Sequence, residues 1–334
     1  MAEFDYQKQA QDFYSQAPTI ILGSGASAAF GISGMGSLAD HLIKNIDVSS
    51  DSEEEKVWTE FCDLLSNGTD LESALHQVKL PERITELIIT STWELINSED
   101  LAIYYEALDK PNFPLGILLS AMFKSTLREI NIITTNYDRL AEYACEQESI
   151  HHYSGFSSGY TRKLIDQSYH NGRRVNIWKV HGSLDWYNTP TNEICALSNL
   201  EAKPDGYIPQ IVTPGIEKYL KTHIPPFRDI ITNSDTVLQN SNSYLCVGFG
   251  FNDEHIQPKL IQKCVRERAS IVVITRSLSD SARNLLFQNN VQNYLAIERG
   301  ETDDQSIVYS SLQQDPISVD GCFWALEGYL KLIL

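Results

Sequence analysis

Short apolar runs alternate with stretches of helical period along most of this chain. Thr19-Ile20-Ile21-Leu22, Asn131-Ile132-Ile133-Thr134-Thr135, Val175-Asn176-Ile177-Trp178-Lys179-Val180, Tyr244-Leu245-Cys246-Val247, Ile271-Val272-Val273-Ile274 and residues 291–297 are rich in β-branched and aromatic residues. They read as strands, most of them buried on both faces. Helices are predicted between them, near residues 5–17, 138–149, 226–240, 254–267 and 279–288, with an apolar helix from Phe323 to Leu334 closing the chain. Strands alternating with helices predict an α/β fold, a doubly wound parallel, Rossmann-like sheet. From about 50 to 129 the period is helical throughout, marked by Val57, Phe61, Leu64 and Leu65, then Ile84, Leu87 and Ile88, then Leu115, Leu118, Leu119 and Met122. This predicts a helical insertion between the first and second strands. We therefore expect a single domain over 1–334. Its core would be 19–49 and 130–298, with a helical insertion at 50–129 and a C-terminal helical extension at 299–334. Residues 154–174 read as a surface loop. Residues 188–225, with several prolines and little period, read as an irregular excursion.

Charge narrows the function. With 44 acidic against 26 basic side chains, the net charge is −18, and the densest basic pair is Arg173-Arg174. Such a surface repels phosphate backbones, so direct nucleic-acid binding is not expected. The six cysteines (62, 145, 195, 246, 264, 322) form no C-x-x-C pair. Neither a structural zinc site nor a disulfide framework is expected. The polar, acidic N-terminus is no secretory signal, and no apolar run nears the ~20 residues that span a membrane. A cytoplasmic location follows as the expectation.

The chemistry gathers at strand ends. After the first strand comes Gly23-Ser24-Gly25-Ala26-Ser27-Ala28, a G-x-G-x-x-A pattern at a strand-to-helix junction. Gly23 would make the turn, Gly25 would admit a pyrophosphate, and the helix start would offer N–H groups. A glycine turn packing without a ligand is the alternative to that reading. No acidic strand end follows about 20 residues later, which weighs against hydride transfer. The second strand ends in Thr135-Asn136-Tyr137-Asp138, where Asn136 and Asp138 suit either helix caps or ligand groups. The strand over 175–180 ends in His181-Gly182-Ser183, a histidine that is either a structural hydrogen-bonder or a proton carrier. Tyr244–Val247 leads into Gly248-Phe249-Gly250, and Asn252-Asp253 could cap the next helix.

In order and spacing these four strand ends resemble the sirtuin-like NAD-binding domain. More narrowly they resemble its bacterial anti-phage defence branch, over roughly Thr19 to Ile297. The resemblance implies that Gly23, Ser24, Gly25 and Ala26 wrap the NAD diphosphate. It implies catalytic roles for Asn136, Asp138 and His181. Contacts to the nucleotide would come from Thr135, Tyr137, Ser183, Gly248, Phe249 and Thr275. Two departures weigh against a protein deacylase: only Cys195 lies between His181 and Cys246, where deacylating sirtuins carry a four-cysteine zinc ribbon, and Gly31-Ile32-Ser33-Gly34-Met35 replaces an acidic-Phe-Arg ending. No metal is expected. The implied activity is NAD+ hydrolysis, with NAD as substrate, in an effector that depletes the cell's NAD+ during phage infection. An NAD- or ADP-ribose-binding regulatory module is the alternative. Few residues follow the sirtuin-like part, so control is expected from a homo-oligomer, a HerA-type ATPase partner, or both.

Overall fold

The computed structural model describes residues 4–48, 52–110, 113–166, 172–213, 224–253 and 255–334. Strand β1 (Thr19–Leu22) lies inside a nine-stranded sheet, paired in parallel with β2 (Glu129–Thr134) on one side and β9 (Ser243–Val247) on the other. Beyond β2 lie β5 (Arg174–Lys179) and then β3 (His152–Tyr153), both parallel. Beyond β9 come β10 (Ser270–Thr275) and β11 (Tyr294–Arg299), also parallel. The chain builds one side of β1 first and the other side afterwards. That places a topological switch point between β1 and β9, where open α/β sheets form a crevice at their carboxyl edge.

Alternation along the strands divides the core. Ile20 and Ile132 pack into one apolar layer, Ile21 and Ile133 into the other, and all four are fully buried. Side chains on a strand point alternately to its two faces, so each β-branched run feeds both layers at once.

Three expectations are corrected. First, residues 299–334 are not a helical extension. Strands β12 (Gln305–Ser310) and β13 (Gln313–Asp320) continue the sheet antiparallel to β11, and only Leu326–Ile333 is helical. Second, the described parts of the stretches expected to be a surface loop (154–174) and an irregular excursion (188–225) supply strands. Strands β4 (Thr161–Lys163), β6 (Gly182–Asn188), β7 (Ile194–Leu197) and β8 (Ile208–Ile211) form a small antiparallel sheet. Third, the helical layer starts before residue 50. Leu38 and Leu42, on the helix Met35–Asn45, share a separate core with Trp58, Phe61, Leu75 and Ile84. Helix Pro114–Met122 instead packs Leu115, Leu118 and Leu119 into the core of the main sheet. No helix among the described residues is long and apolar enough to cross a membrane, and all six cysteines are free thiols.

Candidate active site at the carboxyl edge of the sheet

A cavity of about 230 Å3 opens at the carboxyl ends of β1, β2, β5 and β9. Gly23, Ser24 and Ser27 line it after β1, Thr135 to Asp138 after β2, His181 after β5, and Phe249 to Asp253 after β9. The helical layer adds Met35, Glu72 and Ile96.

The orientation of Asn136 follows from its partners. Its Nδ2 donates to the Gly23 carbonyl at 2.9 Å and to Ser27 Oγ at 2.9 Å. A carbonyl can only accept, so the amide nitrogen must face it. The Ser27 hydroxyl spends its single proton on Asp138 Oδ2 at 2.6 Å, so towards Asn136 it too can only accept. Both constraints agree. They leave Asn136 Oδ1, for which no protein donor is found among the described residues, as a fixed acceptor.

Asp138 is 7% exposed, and its other oxygen accepts from the Leu140 amide at 3.2 Å. Burial pushes its carboxyl above the usual range; Lys179 and the Ser27 hydrogen bond offset this only in part. Asp138 meets Asn136 through the Ser27 hydroxyl and also lines the cavity. Behind it, fully buried Lys179 donates to the Asp138 carbonyl and reaches Glu142 Oε1 at 3.1 Å. Arg139 anchors the same turn to the long helix Glu82–Asp109 through Asp100. The Tyr137 hydroxyl donates to the Val212 carbonyl at 2.7 Å.

His181 sits in the turn between β5 and β6, its side chain 13% exposed. Gly182 follows with φ 87, and a Cβ there would lie 2.0 Å from the Gln210 carbonyl, so only glycine permits the turn. Nε2 of His181 lies 2.9 Å from Asp253 Oδ2, a close contact without the alignment of a hydrogen bond.

The glycine loops serve mainly each other. A Cβ on Gly23 would meet the Gly248 carbonyl at 2.5 Å, and one on Gly25 would meet Gly248 Cα at 2.8 Å. The Gly23 and Gly25 amides donate to Val247 and Gly248, and that of Ala26 donates back to Gly23. Three of the four amides assigned to the diphosphate are thus engaged within the protein, and Gly25, Ala26 and Gly248 lie off the cavity wall. Ser24 lines the cavity. Ser183 is fully buried in β6, and Thr275 Oγ1 donates to the Ser277 carbonyl, so neither lines the cavity.

The structure adds Ser27, Glu72, Asp100 and Lys179 to the candidate site residues, and Asp253, expected only as a helix cap, joins them. Lys179 carried a signal, a charge inside an otherwise apolar strand; the others are joined to the site by contacts distant in sequence.

Residues 130–294 match the SIR2-like domain. The matched span runs from β2 to the start of β11 and holds Asn136, Asp138, His181 and Asp253. It supports, at the level of fold, the resemblance carried by the strand-end motifs. Solved structures similar to the chain include a Sir2 homologue–NAD complex, with 13% identity, 88% of each chain covered and a TM-score of 0.46. Others are Sir2Tm bound to a propionylated peptide (15% identity, 82% of this chain and 88% of that one, TM-score 0.43) and a Sir2 homologue mutant–ADP-ribose complex (13%, 84% and 88%, 0.47). No curated protein matches the chain.

Proposed function

We propose that the chain is an NAD+ glycohydrolase, cleaving the nicotinamide–ribose N-glycosidic bond to give nicotinamide and ADP-ribose. The observation that carries this reading is the fixed Asn136 Oδ1, an oriented acceptor in the cavity that His181 also lines, with no protein donor among the described residues. In the bond to be broken the pyridinium nitrogen is cationic. When the bond to the ribose anomeric carbon breaks, its electron pair neutralises that nitrogen, so nicotinamide needs no acid to leave. The ribose is left with oxocarbenium character, and a water must attack it. Asn136 Oδ1 would accept a hydrogen bond from that water and orient it, while His181 takes the one proton the water loses as it attacks, directly or through a ribose hydroxyl. Carboxylates of Asp138, Asp253 and Glu72 line the cavity and would favour the developing positive charge. At about 230 Å3 the cavity is smaller than the roughly 300–1,000 Å3 of ligand pockets in general. It suits the nicotinamide riboside end, with the rest of the dinucleotide outside, past Ser24.

The test is release of nicotinamide from NAD+ by purified protein. Asn136→Ala and His181→Ala should each lower turnover at least ~100-fold. Unchanged turnover in both rejects the site, and NAD+ binding without product in the wild type rejects the enzyme in favour of a binding module. The resemblance further supports an anti-phage effector working as a homo-oligomer with a HerA-type ATPase. Cellular NAD+ that stays constant through infection of a host expressing both chains rejects that role.

A further inference from the structure

We infer that Asp253 is the positioning residue for His181, holding the proton on Nε2 and leaving Nδ1 as the acceptor available to the cavity. Asp253 is 7% exposed, and its two oxygens have different tasks. Oδ1 accepts from the amides of His255 at 2.9 Å and Ile256 at 3.0 Å, which fixes the carboxylate plane as a cap on the turn after β9. Oδ2 is thereby set 2.9 Å from His181 Nε2, close enough to bias which ring nitrogen carries the proton without meeting hydrogen-bond alignment. An imidazole nitrogen that faces a carboxylate is the one that keeps its proton, and the other then carries the lone pair. The loop bearing Asp253 is itself firmly set. Phe251 holds φ 58 while fully buried, against the ring of Phe249 at 4.9 Å in an edge-on contact. A bulky residue keeps such a backbone only where its surroundings over-determine it.

The kinetic consequence rests on the glycohydrolase reading; the tautomer does not. Asp253→Asn separates the two tasks. Its amide oxygen can still cap His255 and Ile256, which places the NH2 group where Oδ2 stood. Donor then faces Nε2, and the ring proton must move to Nδ1. The experiment is 15N NMR of the His181 ring at alkaline pH, with the signal identified by its loss in His181→Ala. Nicotinamide release is measured alongside. The wild type should show the Nε2–H tautomer and Asp253→Asn the Nδ1–H tautomer, with kcat down at least ~100-fold and KM changed less than about threefold. A wild-type ring protonated on Nδ1 overturns the inference without any variant, and so does an unchanged tautomer in a folded Asp253→Asn protein. A wild type that turns over no NAD+ sinks the glycohydrolase reading and leaves the tautomer comparison to decide this one.

Discussion

The Asp100–Arg139 pair gives the most direct test of how the turn bearing Asn136 and Asp138 is held. Asp100 is fully buried on the long helix, and Arg139 is 3% exposed immediately after Asp138. Asp100 accepts from the Arg139 amide at 2.7 Å, from Nε at 2.9 Å, from Nη2 at 2.6 Å and from the Tyr143 hydroxyl at 2.5 Å. Burial alone would lower the Arg139 pKa, yet Asp100, with Tyr143 and Asp185, holds it above its ordinary value. Asp100→Asn keeps the shape and one acceptor oxygen, and that oxygen can still take the Arg139 amide. It removes the charge and sets an NH2 group against Nε and Nη2, leaving the guanidinium facing donors. Breaking one side of a buried pair costs about 3–5 kcal/mol, because the remaining charge stays desolvated. At about 2 °C per kcal/mol for a large domain, Tm should fall by roughly 6–10 °C. Calorimetry measures this directly, and urea titration should show a lower midpoint with an unchanged slope. A Tm change under 2 °C would refute the argument, since Asn97 and Asn199 would then suffice for the cation.

Three further outcomes follow from the same geometry. Ser27→Ala removes the hydroxyl between Asn136 and Asp138, so turnover of NAD+ should drop ~10–100-fold through misplacement alone, read as kcat; an unchanged kcat would show that the Gly23 carbonyl is enough to orient the amide. Gly248→Ala puts a Cβ 2.2 Å from the Ala26 amide at φ 57 and should cost on the order of 4 kcal/mol by urea titration, whereas Gly36→Ala, in a helix with open space around it, should gain about 0.5–1 kcal/mol; equal effects would contradict the close packing of the two glycine loops. Burial opposes ionisation of Asp185, but Arg162, Lys179 and Arg139 outweigh it and hold its pKa below the ordinary 3.8. The stability this contributes is fully present above that value and is lost as pH falls below it, so Tm of the wild type should fall more steeply than that of Asp185→Asn between about pH 4 and pH 2; parallel curves would refute the assignment.

What the sequence disclosed about the fold depended on how local each signal was. The strands at 19–22, 131–135, 175–180, 244–247 and 271–274 stood out because a sheet buried on both faces demands unbroken apolar runs. Their polar ends stood out for the same reason, as sudden breaks. The hairpin of β12 and β13 stayed hidden because its loop is Ser311-Leu312, without the Asn-Gly or Asp-Gly signal of tight turns. Its outer strand is largely solvated, so apolar alternation along it is weak. The small sheet stayed hidden because β7 and β8 are each 4 residues long, too short to show a period. Their stability comes from pairing with β6, which no local pattern records.

The site follows the same division, with a sharper consequence. Asn136 and His181 were legible as residue types at strand ends, but a type does not say which atom faces the ligand. That choice is made by Ser27, 109 positions from Asn136, and by Asp253, 72 positions from His181. Asp253 was legible only as a helix cap, and it is one through Oδ1; the second oxygen acquires its role when β9 brings it beside the end of β5. A cap holds a carboxylate in a fixed plane, so the structural role of Asp253 is the reason it can aim at an imidazole. The same logic applies at Asn136. Its Nδ2 is committed to tying the turn after β2 to the glycine-rich turn after β1, at the Gly23 carbonyl and Ser27 Oγ, and that leaves Oδ1 free in a single direction. In both residues one polar atom is committed to the fold and the other thereby becomes specific. On the proposed reading, acceptors fixed in this way would discriminate between orientations of a bound water.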